Sequence, residues 1–196
     1  MTGEISSLVL GTRNRHKVRE IGRLLEPAGI VVEPLPEGIE LPPETGITFV
    51  ENALPKARTA ALATVRPAIA EDSGIEAVAL AGAPGVRSAR FAGPSATDEE
   101  NLRKLLREAP RGSALRYVCA LAYVDPSRGV EKVFFGHCTG TLATTPRGSG
   151  GFGYDPAFIP DEVSGGLTMA ELDDGAKDAI SHRGRAVREL LGWLGR

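Results

Sequence analysis

Leu8-Val9-Leu10-Gly11-Thr12-Arg13-Asn14-Arg15-His16-Lys17-Val18-Arg19-Glu20 joins an apolar strand to a polar turn and then to a helix. Val18, Ile21, Leu24 and Leu25 recur at helical spacing, and Pro27-Ala28-Gly29 stops the run. Arg13, Arg15, His16, Lys17 and Arg19 concentrate positive charge at the helix N-terminus, where the macrodipole disfavours cations and favours anions. A bound phosphate would resolve that conflict. The alternative is a helix cap followed by a solvated basic face. No Gly-x-x-x-x-Gly-Lys-Ser/Thr occurs, which excludes the common P-loop.

Moving outward, residues 30–32 predict a short strand, and the Pro- and Glu-rich stretch 34–46 predicts a surface connection. Thr48 and Glu51 form a capping-box pattern opening an alanine-rich helix that runs toward Val65. Pro55 inside it removes one backbone hydrogen bond and is expected to bend it. Ala68-Ala70 predicts a short buried strand that delivers Glu71 and Asp72 at its end. Thr97-Asp98-Glu99-Glu100 is a second capping box, opening a helix with Leu102, Leu105 and Leu106 inward. Residues 114–124 and 130–142 predict a hairpin, and residues 185–194 a last helix with Val187, Leu190, Leu191 and Leu194 as its stripe. The pattern is α/β with alternating and mixed elements, without internal repeats, and fits one domain or two small lobes sharing a sheet.

The composition is 42% hydrophobic and 24% charged, which favours neither disorder nor a membrane protein. A formal net charge of -2 argues against a general nucleic-acid binder. Met1-Thr2-Gly3-Glu4 lacks a signal-peptide start, and no apolar run approaches the roughly 20 residues of a spanning helix. A cytoplasmic location is expected. Folding the hairpin about Ser127 and Arg128 pairs Cys119 with Gly136 rather than Cys138, so reduced thiols are expected.

Gly148-Ser149-Gly150-Gly151-Phe152-Gly153 matches the dinucleotide fingerprint letter for letter, yet Tyr154-Asp155-Pro156 follows where a helix must open. A flexible loop is one reading, and close approach of backbone and Phe152 to a flat base or sugar is another. Glu71-Asp72-Ser73-Gly74 reads either as a turn or as a magnesium site, since magnesium needs one or two carboxylates plus substrate phosphates. Glu44 is a candidate second carboxylate. No His/Cys spacing suits zinc.

These motifs in their shared order resemble the inosine triphosphate pyrophosphatase family, which hydrolyses nonstandard purine nucleoside triphosphates. The resemblance runs from Leu8 to Trp193. It is carried by residues 12–20, residues 44–53, Lys56-Ala57, Glu71-Asp72-Ser73-Gly74, residues 82–90, residues 150–156, and Lys177 with Ser181-His182-Arg183-Gly184. It implies a mixed α/β fold of two lobes around a long twisted sheet, with the active site in the cleft, residues 1–196 acting as a single domain, and a homodimer. It also implies Mg2+-dependent conversion of ITP, dITP or XTP to the monophosphate and pyrophosphate. Carried over by position, Thr12, Arg13, Asn14, Arg15, His16, Lys17 and Lys56 would hold phosphates. Asp72 would be the catalytic carboxylate and, with Glu44, the metal ligand. Ser73, Phe152, Gly153, Tyr154, Asp155, Lys177, His182 and Arg183 would contact substrate. Arg13 stands where a glycine is common in the family, and Pro55 interrupts the helix presenting Lys56. Two other readings stay open: a pyrophosphatase for pyrimidine or modified nucleotides, and a catalytically silent nucleotide-sensing module.

Overall fold

The computed structural model describes residues 5–196; the Met1-Thr2-Gly3-Glu4 start, read above for a signal peptide, lies outside the described residues. The strands are β1 (Ser7–Leu10), β2 (Val31–Pro34), β3 (Ala68–Ala77), β4 (Ala114–Asp125), β5 (Val130–Leu142) and β6 (Phe158–Pro160). The helices are α1 (Arg15–Leu25), α2 (Phe49–Thr64), α3 (Asp98–Glu108), α4 (Asp174–Ile180) and α5 (His182–Leu194). The strands form one sheet in the order β2-β1-β3-β4-β5-β6. β1 runs parallel to β2 and β3, setting Leu8 opposite Val32 and Leu10 opposite Ile69. β5 and β6 are antiparallel, with Thr141 opposite Ile159. Both pairings in one sheet make the fold mixed α/β, as the sequence predicts. Among the described residues no helix is long and apolar enough to cross a membrane.

The chain divides into two compact units. The first comprises the chain up to Asp72, Cys119–Gly136 and Arg183–Arg196; the second comprises Ser73–Val118 and His137–His182. In the first, Ile21 and Leu25 of α1 pack with Leu8 and Leu10, with Ile69, and with Ala186, Val187 and Leu190 of α5. The i, i+4 spacing of Ile21 and Leu25 puts them on one helix face, and fully burying each such side chain stabilises by about 1.5–3 kcal/mol. In the second, Leu102 and Leu105 of α3 pack with Ile75, Leu115, Tyr117, Leu142 and Phe158.

Local signals set the helix starts. Asn14 caps α1 by accepting from the His16 and Lys17 N–H groups, and Gly29, at φ 70°, ends the 3-10 turn that follows. Thr48 with Glu51 and Thr97 with Glu100 both close as full capping boxes. Pro55 lies inside α2, as expected. After Gly153 comes only a 3-10 turn, Asp155–Ala157, so the glycine run opens no helix and the dinucleotide reading stays rejected. Cys119 and Cys138 are buried, reduced thiols, as expected.

β6 has no counterpart in the sequence expectation, β2 is shifted to Val31–Pro34 and α5 starts earlier, at His182; two further elements differ more. β3 does not end at the acidic pair but runs through Glu71, Asp72, Ser73 and Gly74 to Ala77. Partners distant in sequence engage both carboxylates, Arg183 that of Glu71 and Asn52 that of Asp72, so the acidic pair does not force a turn. Strand alternation then turns Glu71 and Asp72 to opposite faces. The other difference is α4, seven residues capped by Asp173 through the Ala176 N–H, in a stretch too short for an apolar period to reveal.

Candidate active site

The first unit holds a carboxylate and lysine cluster built on β1, α1, α2 and β3. Gly11 follows β1 where a Cβ would lie 3.0 Å from the Lys56 carbonyl oxygen and 3.1 Å from Ala70 Cβ, so a side chain there would push α2 and β3 away by a few tenths of an ångström. Thr12 Oγ1 accepts from the Asn14 N–H at 3.2 Å. One turn into α1, Lys17 Nζ lies 3.2 Å from Glu71 Oε1. A cavity of about 310 Å³ beside this turn is lined by Thr12, Arg13, Arg15, Val18, Arg19, Pro34 and Leu35.

Asp72 is 5% exposed and accepts from Asn52 Nδ2 at 2.9 Å. Burial is the largest influence on its carboxyl and raises its pKa; Lys56, Lys17 and the Asn52 bond pull it down without cancelling that rise, and the Glu44 charge pushes it up further. Asn52 and Lys56, four apart on α2, project from the same helix face. Lys56 Nζ reaches Glu44 Oε1 at 2.5 Å and the Glu71 carbonyl oxygen at 3.0 Å. Asn52 Oδ1 takes the Gly46 N–H at 2.8 Å, which fixes the end of the 35–48 connection that carries Glu44.

This donor set fits a divalent, oxygen-seeking cation. Asp72 and Glu44 supply two carboxylates that feel one another's charge, and a buried carboxyl whose pKa is raised gains when a cation arrives. Among the described residues no group of three or more His, Cys, Asp or Glu is placed to hold a metal. The remaining ligands would then be water and phosphate oxygens, the ordinary habit of magnesium.

Glu71 points the other way and is fully buried. Its carboxylate accepts from Arg183 Nε at 3.1 Å and Nη2 at 2.8 Å, and from the Cys119 thiol at 3.6 Å. Arg183 also binds Glu20 through Nη1. Burial is the largest influence on the guanidinium and favours its neutral form, but the charges of Glu71 and Glu20 outweigh it and raise the pKa. The arginine therefore remains charged at 1% exposure.

The second unit holds its own polar cluster around Asp155. The carboxylate accepts from Tyr117 Oη at 2.9 Å, Lys177 Nζ at 2.7 Å and the Phe152 N–H at 3.0 Å. Asp155 and Lys177 are 3% and 4% exposed. Gly151, at φ 68°, lies so close that a Cβ would overlap the Asp155 carboxylate. Lys177 Nζ stands 5.4 Å from the centroid of the Phe152 ring. The Gly153 N–H is held by Asp98 at 3.0 Å, and the buried Tyr154 hydroxyl donates to the Ser88 carbonyl at 2.7 Å. His182 stacks on Tyr117 with ring centroids 4.5 Å apart.

The Ham1 family pattern matches residues 8–193. The chain belongs to the Ham1 family. Relatives of this Ham1 chain include the dITP/XTP pyrophosphatase of Cutibacterium acnes, 46% identical over 195 residues and 95% of each chain. That of Escherichia coli strain K12 is 45% identical over 200 residues, covering 97% of this chain and 98% of the other. A HAM1 protein from Coxiella burnetii superposes with a TM-score of 0.85 at 40% identity, covering 97% and 99% of the two chains. The Staphylococcus aureus Ham1 protein gives 0.81 at 36% identity, covering 96% and 98%.

The Ham1 chain thus brings Lys17, Lys56, Glu44 and Asp72 into one cluster in the first unit, and Phe152, Asp155 and Lys177 into another in the second. Ser73 is half-buried on β3, while Arg15 and His16 are exposed on α1. Three of the expected substrate-contacting residues also make contacts within the chain. The Asn14 carboxamide caps α1. Arg13 donates to the carbonyls of Leu35 at 2.6 Å, Pro36 at 2.7 Å and Ile39 at 3.1 Å, so its guanidinium fastens a connection. Arg183 is committed to Glu71 and Glu20 in the core. The sequence assigns no role to Asn52 and Glu20, although both lie in motifs that carry the family resemblance, and does not single out Tyr117. Asn52 carried a usable signal, standing one helical turn before Lys56; Tyr117 sits in an apolar strand and looks like any core aromatic.

Proposed function

We propose that this chain hydrolyses nonstandard purine nucleoside triphosphates, among them ITP, dITP and XTP, to the monophosphate and pyrophosphate, with Mg2+ as its metal. The observation that carries the reading is Asp72: a buried carboxylate, its pKa raised, oriented by Asn52 and flanked by Glu44, Lys17 and Lys56. The relatives named dITP/XTP pyrophosphatase support the substrate class.

Glu44 and Asp72 would hold the metal, which when bound neutralises phosphate charge and polarises the reacting phosphoryl group. Asp72 also orients a water for in-line attack on the α-phosphorus and accepts its proton. Lys17 and Lys56 stabilise charge developing on the departing pyrophosphate. Thr12, Arg15 and His16 are assigned to the phosphates. Ser73, Phe152, Gly153, Tyr154, Asp155, Lys177 and His182 are assigned to the base and sugar. Hypoxanthine and xanthine carry a 6-oxo acceptor where adenine carries a 6-amino donor, so donors such as Lys177 and His182 favour the former. The family resemblance also supports a homodimer and residues 1–196 as one functional domain, and the sequence reading above supports a cytoplasmic location.

The test is hydrolysis of ITP with Mg2+ in oxygen-18 water. Label in the monophosphate with release of intact pyrophosphate is expected. Stepwise release of orthophosphate through a diphosphate would overturn the reading.

A further inference from the structure

We propose that Tyr117 is a positioning residue for base selection, through which one side chain sets both the Asp155 carboxylate and the His182 ring. The proposal rests on the functional reading above. Tyr117 lies in β4 and is 6% exposed. Its hydroxyl donates to Asp155 Oδ1 at 2.9 Å. Its ring stacks on His182 with planes only 5° apart, and it meets Phe158 at 4.8 Å with a 55° tilt. The phenol is therefore held at its tip and by its ring contacts.

Each contact fixes a different group. A carboxylate only accepts hydrogen bonds, and Asp155 divides its oxygens: Oδ1 to Tyr117, Oδ2 to Lys177 Nζ and the Phe152 N–H. Without the phenolic donor the carboxylate can rotate, and the Phe152 turn and the Lys177 ammonium lose the orientation it imposes. The parallel stack, in contrast, fixes the plane in which His182 presents its ring nitrogens. The hydroxyl governs the turn and the ring governs the imidazole, so substitution separates them.

Tyr117→Phe keeps the ring and removes the hydrogen bond; Tyr117→Leu removes both. A hydrogen bond to a charged group corresponds to a preference of at least about tenfold. In Tyr117→Phe the ratio of kcat/KM for ITP over ATP should therefore fall by about tenfold through KM, with kcat on ITP within about threefold of wild type. The protein has three histidines, so the His182 ring protons can be followed by NMR. Their upfield shift from the Tyr117 ring should persist in Tyr117→Phe and vanish in Tyr117→Leu. A folded Tyr117→Phe variant with unchanged ITP over ATP preference overturns the proposal and leaves the functional reading intact. Equal losses for both nucleotides, together with a lowered Tm, also overturn it, by reducing Tyr117 to a structural residue. Absence of ITP turnover in the wild type removes the functional reading and this proposal together.

Discussion

Asn52 Nδ2 donates to Asp72 Oδ2 at 2.9 Å while its Oδ1 holds the Gly46 N–H at 2.8 Å. Only one orientation of the amide permits both bonds, so a single side chain ties the acid on β3 to the connection bearing Glu44. Asn52→Ala strands a backbone donor and releases the carboxylate. We expect a stability loss of about 1–3 kcal/mol by denaturant unfolding and a higher half-saturating Mg2+ concentration. Unchanged metal dependence in the folded variant would detach Asn52 from the site.

Asp72→Asn should separate activity from stability. The folded pKa of Asp72 is raised, chiefly by burial. Its contribution to stability is accordingly full below the unfolded value, near 3.9, and is lost as pH rises through the higher folded value. At neutral pH the ionised side chain is a net cost to the metal-free fold. We expect Asp72→Asn to raise Tm at pH 8 more than in acid, and to lower kcat by roughly a hundredfold or more. A Tm difference independent of pH would contradict this account.

Arg13→Ala removes three bonds to the carbonyls of Leu35, Pro36 and Ile39. Amide exchange across residues 35–46 should accelerate by about tenfold or more, while inhibition by pyrophosphate stays as in the wild type. A weakened pyrophosphate affinity with unchanged exchange would return Arg13 to phosphate binding.

Arg183→Ala leaves Glu71 and Glu20 buried without their principal cation. Breaking a buried pair in this way costs about 3–5 kcal/mol, so the denaturation midpoint should drop sharply. Whatever activity survives should fall equally for ITP and ATP. A loss confined to ITP in a stable variant would show that the guanidinium contacts the base.

These cases also mark what the sequence makes legible. The α1 cap and the Thr48 and Thr97 boxes are read easily because donor and acceptor lie two or three residues apart. The length of β3 is not, because Glu71 looks like the start of a turn until Arg183, 112 residues on, supplies its counter-charge. Arg183 meets Glu20 across 163 residues, a pairing without local trace. Lys56, Glu44 and Asp72 belong to separate motifs that α2 gathers through Lys56 and Asn52, while Lys17 joins them from α1 through Glu71. Arg13 and Asn14 stay ambiguous in sequence, because a basic or amide side chain at a helix start looks the same whether it serves an anion or its own backbone.

The first unit is assembled from three separated stretches of chain, and its last contribution is α5. Arg183, Ala186, Val187 and Leu190 complete its charge cluster and its core. During synthesis, which proceeds at about 5–20 residues per second, Glu71 and Glu20 therefore emerge long before their guanidinium partner. Nearly all of the chain is made before the core of the first unit can close. Nascent chains arrested before residue 183 should accordingly remain protease-sensitive in the β1–α1 region. Chains released beyond α5 should acquire protection there in a single late step.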